Sequence, residues 1–193
     1  VSAHVLGLDL GLATAGAAQI HHDGRVYTQA LTTDALGADA PIAAVAARIR
    51  RVARWAVQRA TTATVLVVIE GPAHAAQHGQ PHERAGVWWR VVDQLVRHER
   101  PVAVLSPSTV KGYMTGNGNA DKDLVRSAVA AAWPGHGLAR ASSHECDAVA
   151  LATAGVDWLG WPGPWLEGRR GAKALLRAQW PDLPTPRTEL PIP

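Results

Sequence analysis

The chain is short of several common building blocks. It has one cysteine, Cys146, no phenylalanine, and only three lysines, Lys111, Lys122 and Lys173. A single cysteine excludes a disulfide framework and a multi-cysteine zinc site within one chain. A reducing cytoplasm is the expected compartment. No apolar run approaches the roughly eighteen residues a membrane-spanning helix needs, so no membrane span is expected. The opening VSAHVLGLDLGL lacks a basic leader and a small-residue cleavage site, so no secretory signal is expected either.

Hydrophobic residues make up 47% of the 193 and charged residues 18%, which is enough apolar material for a buried core and excludes wholesale disorder. The length suits one domain. The formal charge is +3 and the pI near 9.5, a balance that permits a nucleic-acid partner without establishing one. Arginine carries most of the positive charge and alanine is abundant, a bias typical of GC-rich coding. Against it, each surviving lysine is informative.

Residues 4–12 alternate, with Leu6, Leu8, Leu10 and Leu12 on one face and Val5, Gly7, Asp9 and Gly11 on the other. Strands at 13–20 and 25–31, joined by a turn at His21-His22-Asp23-Gly24, complete an antiparallel meander. Apolar spacing predicts helices over 41–60, 82–98, 120–133 and 144–159. TVLVVI at 64–69 reads as a buried parallel strand, and 102–105 as a short one. The order β-β-β-α-β-α-β-α-α predicts an α/β fold, a mixed sheet with helices on both faces. Residues 1–160 form the expected domain. Residues 161–193 hold seven of the 13 prolines and a basic cluster of Arg169, Arg170, Lys173 and Arg177, and read as a partly irregular appendage with a short possible helix.

Three acids stand out. Asp9 interrupts an apolar strand, where an uncompensated carboxylate costs several kcal/mol. Its face carries Gly7 and Gly11, which leaves room for a metal and a phosphate. Glu70 ends TVLVVI and precedes Gly71-Pro72, at the carboxyl end of a parallel strand where α/β proteins place ligands. Asp147 lies in the first turns of the helix that SSHECDAVALATAG begins. There Ser142 and Glu145 match a capping box, giving Glu145 a structural role. His144 and Asp147, three apart, share a helix face. Each acid has an ordinary reading as well: a turn aspartate, a solvated strand end, a helix-dipole partner. Gathered at one edge, hard oxygen ligands suit Mg²⁺ or Mn²⁺ rather than zinc. Two such ions would activate water and stabilise the leaving oxygen in phosphodiester hydrolysis.

GLDLGLATAG, VLVVIEG, STVKGYMTGNGNADKDLVRSAV and HECDAVALA occur in an order and spacing that resembles the RuvC Holliday junction resolvases of the RNase H-like superfamily. The resemblance covers residues 4–160. It implies a five-stranded sheet in order 3-2-1-4-5 flanked by helices. It places the catalytic, metal-binding positions at Asp9, Glu70, His144 and Asp147, with two Mg²⁺ or Mn²⁺ ions. Its basic residues fall on Lys111 and Lys122, with Lys122 the better candidate for the scissile phosphate and Arg126 on the same helix face. It further implies a homodimer in a bacterial cytoplasm, or that of a host if the source is viral. The expected activity is paired nicking of four-way junctions and other branched DNA, leaving 5′-phosphate and 3′-hydroxyl ends. In the GNGN loop, Gly116 and Gly118 are expected to leave backbone amides open to a phosphate, and Asn117 and Asn119 to take left-handed turn conformations.

The sequence departs from better-known members at Ala73, where an aromatic wedge is expected, and in its long C-terminal appendage. Two other readings stand beside the resolvase. One is an RNase H cutting RNA in hybrids, with a similar acid set. The other is a non-catalytic junction-binding protein on the same fold, for which a broken acid set is the expected sign. The trio His74, His78 and His82, spaced by four, is interrupted by Gly79 and Pro81 and fits DNA contact better than a metal. Trp88 and Trp89 are expected either to divide between core and subunit contact or both to pack within the chain.

Overall fold

The computed structural model describes residues 2–37, 39–72, 80–163 and 172–183. Three strands come first: β1 (His4–Asp9), β2 (Thr14–His21) and β3 (Val26–Thr32). They are followed by α1 (Ile42–Val57), β4 (Thr64–Glu70), α2 (Pro81–Arg97) and β5 (Val102–Leu105). The rest is helical: α3 (Pro107–Thr115), α4 (Lys122–Ala132), a 3-10 turn (Leu138–Arg140), α5 (Ser143–Trp158) and α6 (Ala172–Leu175). Ala73 and the basic residues Arg169 and Arg170 lie outside the described residues. Among the described residues no helix is long and apolar enough to cross a membrane.

The five strands form one mixed sheet in the order β3-β2-β1-β4-β5. β1 runs antiparallel to β2 and parallel to β4, and β4 runs parallel to β5. The alternation along β1 decides the layers. Leu6 and Leu8 face α1 and α2 and pack with Val52, Ala56, Val91 and Leu95. Val5 faces the other way, into the core formed with α3, α4 and α5. Each fully buried leucine or isoleucine contributes about 1.5–3 kcal/mol, so the two-sided burial of β1 and β4 fixes their register.

The glycines on the second face of β1 have a different use from the one expected. A Cβ on Gly7 would lie 2.0 Å from the Ala148 carbonyl oxygen, and one on Gly16 would lie 2.0 Å from that of His144. The space beside Gly7 is therefore filled by the backbone of α5, not left open for a metal and a phosphate. Gly11 meets the Thr14 carbonyl in the same way, which makes it a turn residue. α5 is buried from Cys146 through Val156 except for Asp147, and its small residues complete the close approach. Sequence pattern and packing agree here: a helix apolar nearly all round is a buried one.

α3 is absent from the pattern-based reading. Its start is marked by Ser106, whose side chain accepts a hydrogen bond from the Thr109 amide at 3.1 Å, and by Pro107 at the first position. Val110, Tyr113 and Met114 are buried beneath it. Residues 172–183 of the C-terminal stretch include the short helix α6 and pack against β5 and α5. Leu175 is buried, the Trp180 ring stacks on Trp158 at 4.7 Å, and Gln179 exchanges backbone hydrogen bonds with Val104 on the β5 edge.

Candidate active site

Asp9 ends β1 and Glu70 ends β4. These strands are parallel neighbours with Leu8 opposite Ile69, so the two carboxyl groups emerge side by side at one edge of the sheet. α5 enters at the same edge because Gly7 and Gly16 let its first turns lie on β1 and β2. Ser142 caps it. The Ser142 side chain and the Glu145 amide, and the Glu145 carboxylate and the Ser142 amide, form the reciprocal bonds of a capping box. Glu145 also accepts a 2.9 Å bond from the Thr28 hydroxyl on β3. Burial raises its pKa, but the bonds from Ser142 and Thr28 outweigh that and hold it below the usual glutamate range. Glu145 is thus engaged in anchoring α5, as its sequence context indicates.

The anchored helix brings His144 to Asp9: Nδ1 lies 2.6 Å from Asp9 Oδ2, with the Asp9 side chain 13% exposed. The bond to Asp9 is the main cause that raises the His144 pKa, against the opposing effect of burial. One turn on, Asp147 is half-buried. Burial, then the charge of Asp9, pushes its pKa up to about 6, with Lys122, His144 and Lys111 opposing. Glu70 is pushed up to about 7 by burial, then by Asp9 and Asp147, with Arg84 and Lys111 opposing. All four expected residues therefore share one electrostatic environment, together with both expected lysines.

The donor set suits a hard divalent cation. Two carboxyls hold their protons toward neutrality, first because they are buried and then because of the charge of Asp9, and a bound cation would offset both effects. The groups are not drawn together on a point: among the described residues, no three His, Cys, Asp or Glu side chains are placed to hold one ion.

Lys122 is the first residue of α4, exposed, just after Asp121, whose side chain accepts a 2.8 Å bond from the Leu124 amide. Lys111 projects from α3 between buried neighbours Val110 and Tyr113. Arg126 is partly committed elsewhere. Its guanidinium reaches the Ala141 carbonyl at 3.5 Å and Asp123 at 4.0 Å, bracing α4 against the start of α5.

The GNGN loop is more closed than expected. The Gly116 amide donates to the Gly112 carbonyl, the Asn117 amide to the Thr115 hydroxyl, and the Asn119 amide to Asn117 Oδ1 at 2.9 Å. Gly116, at φ 76°, takes the left-handed cap of α3, while Asn117 and Asn119 do not adopt positive φ. An Asx turn satisfies the loop where left-handed asparagines were expected.

One residue of this edge goes unnoticed in the sequence. Arg84, in the first turn of α2, is near enough to lower the Glu70 pKa and lines a cleft with Glu70, Pro81 and Trp88. It is one arginine among many, and only its position past Pro81 at a helix start could have marked it. Trp88 donates from Nε1 to the Glu70 carbonyl at 2.9 Å, holding the end of β4. Trp89, edge-on to it, is 64% exposed. Trp88 is half-buried against the end of β4, and Trp89 points outward.

No protein-family model matches the chain, and no curated protein does. Solved structures do match. The chain is similar to the structure of Thermus thermophilus RuvC, at 21% identity and a TM-score of 0.62, over 83% of this chain and 99% of that one. It is equally similar to T. thermophilus RuvC in complex with a Holliday junction substrate, at 20% identity and a TM-score of 0.62, over 84% and 99%. With its five strands in the order 3-2-1-4-5 and its helices on both faces, the chain has the RuvC fold.

Proposed function

We propose that the chain is a metal-dependent endonuclease that resolves four-way DNA junctions, and other branched DNA, by paired nicks. The observation that supports this is the 2.6 Å contact of Asp9 with His144, with Glu70, Asp147, Lys111 and Lys122 close enough to influence one another electrostatically. Asp9, Glu70, Asp147 and His144 would hold two Mg²⁺ or Mn²⁺ ions. When bound, the pair supplies an activated water and neutralises charge on the leaving oxygen. Asp9 fixes the His144 ring through Nδ1, which leaves Nε2 for water or metal. Lys122, exposed at the start of α4, holds the scissile phosphate, and Lys111 offsets charge on Glu70 and Asp147. Gly118 and the neighbouring loop carry the strand past the site. Symmetric cutting of two strands requires two such sites, hence a homodimer, and the products bear 5′-phosphate and 3′-hydroxyl ends.

The intact acid set favours an enzyme over a junction-binding protein. The test is a gel assay of four-way, flap, duplex and RNA–DNA substrates with and without Mg²⁺. Metal-dependent paired nicks in the four-way substrate support the proposal. Cutting confined to RNA in the hybrid replaces it with an RNase H, and binding without cutting replaces it with a non-catalytic role.

A further inference from the structure

α1 carries four arginines in seven residues, Arg48, Arg50, Arg51 and Arg54, and no acid along its whole length. Arg48 is buried and donates from Nη2 to Gln80 Oε1 at 2.7 Å, tying α1 to the start of α2. The other three are exposed and form no ion pair among the described residues. They do not stand on a convex face. Two adjoining hollows of about 250 and 350 Å³ lie between α1 and the β3 side of the sheet, and Arg51 lines both. Arg50 and Arg54 line the second, beside Leu31 and Trp55. β3 contributes no acid to this wall. Among the described lining residues the one carboxylate is exposed Asp34, in the first hollow, which lies at the C-terminal end of β3.

That end is the active edge. β3 is parallel to β1 because both are antiparallel to β2, so its C-terminus lies at the edge that carries Asp9. The Thr33 hydroxyl, in the first hollow, donates to the Leu12 carbonyl at 2.6 Å, just beyond β1. Beyond the second hollow the Arg59 guanidinium sits 4.3 Å above the Trp55 ring and donates to the Trp55 carbonyl and Gln29 Oε1. A concave, acid-poor track of guanidinium groups that starts beside the candidate active site matches the phosphate backbone of duplex DNA, because guanidinium pairs with phosphate in bidentate fashion.

We propose that one duplex arm of the substrate leaves the active edge along the groove between β3 and α1, its phosphates held by Arg50, Arg51 and Arg54. This rests on the nuclease reading and adds to it a binding surface outside the acid cluster. The alternative occupant, an anionic membrane surface, is disfavoured because the groove's opening is lined by arginine and not by a continuous apolar rim.

The test compares the parent with an Arg50→Gln/Arg51→Gln/Arg54→Gln variant and with an Arg25→Gln/Arg97→Gln/Arg100→Gln control of equal charge change at the opposite edge. Binding of a labelled four-way junction is followed by anisotropy in EDTA across a salt series, with melting curves to show that each protein folds. Each lost phosphate contact lowers the salt slope by about 0.9. The groove variant is expected to bind at least about tenfold more weakly at 0.1 M salt, with a slope smaller by roughly 2–3, while the control changes little. Equal losses in both variants, or none in the groove variant, overturn the inference and leave the nuclease reading intact. A groove variant that keeps junction affinity but loses binding to phosphatidylserine vesicles overturns it in favour of a membrane. A parent that binds no branched DNA overturns the nuclease reading, and this inference with it.

Discussion

His144 Nδ1 meets Asp9 Oδ2 at 2.6 Å across 135 residues of sequence. The contact joins the end of the first strand to the first turn of the last long helix. It exists because Gly7 and Gly16 carry no side chain where α5 lies on the sheet. Backbone packing thus sets the geometry of the acidic edge.

Asp9→Asn is expected to abolish junction cleavage while leaving junction binding close to the parent's. The loss should exceed the about 100-fold typical of removing an outer-shell partner of a metal site. Single-turnover nicking beside a binding titration checks this; a variant that nicks at the parental rate contradicts the proposed chemistry.

Gly16→Ala places a methyl 2.0 Å from the His144 carbonyl oxygen, so α5 must shift. The expected cost is about 1–3 kcal/mol, typical of overpacking, together with slower cleavage. Denaturant midpoints and nicking rates measure the two effects. A protein unchanged in both would show that the helix does not rest on this glycine.

Metal-free stability should depend on pH through Glu70. Its folded pKa, about 7, is raised above the ordinary 4.5 by burial and then by Asp9 and Asp147. Stability from this group is fully present below pH 4.5 and is lost as pH rises through about 7. The melting temperature in EDTA should therefore fall by a few degrees between about pH 5 and pH 8, and Glu70→Gln should flatten the fall. An equal slope in the parent and in this variant would remove Glu70 as the cause.

Lys122→Ala should slow cleavage by about tenfold or more, the scale of losing one group aimed at developing charge, with little change in melting temperature because the side chain is exposed. Unchanged nicking would take Lys122 out of the site.

Much of this arrangement is legible in the sequence, and its gaps have physical causes. Alternation in β1 and the β-branched run of β4 carry the strands, and Ser142 with Glu145 marks the start of α5 to within a residue. α3 escapes because its nine residues are too few for apolar periodicity to emerge, although Ser106-Pro107 announces it. The glycines of β1 invite two readings, open space for a ligand or close approach of another backbone. Only the tertiary partner, α5, decides. Asn117 and Asn119 likewise can take left-handed turns or close an Asx turn, and the hydrogen bonds of the loop select the second. Arg84 is invisible among its fellow arginines because its distinction is spatial.

Calorimetric titration of Mn²⁺ near pH 6.5, in buffers of different ionisation enthalpy, bears most directly on the acidic edge. Carboxyls that hold protons must release them to a metal. Mn²⁺ is expected to bind the parent with net proton release, and both the binding and the release are expected to be lost in Asp9→Asn. No binding by the parent, or identical titrations of the two proteins, would contradict this.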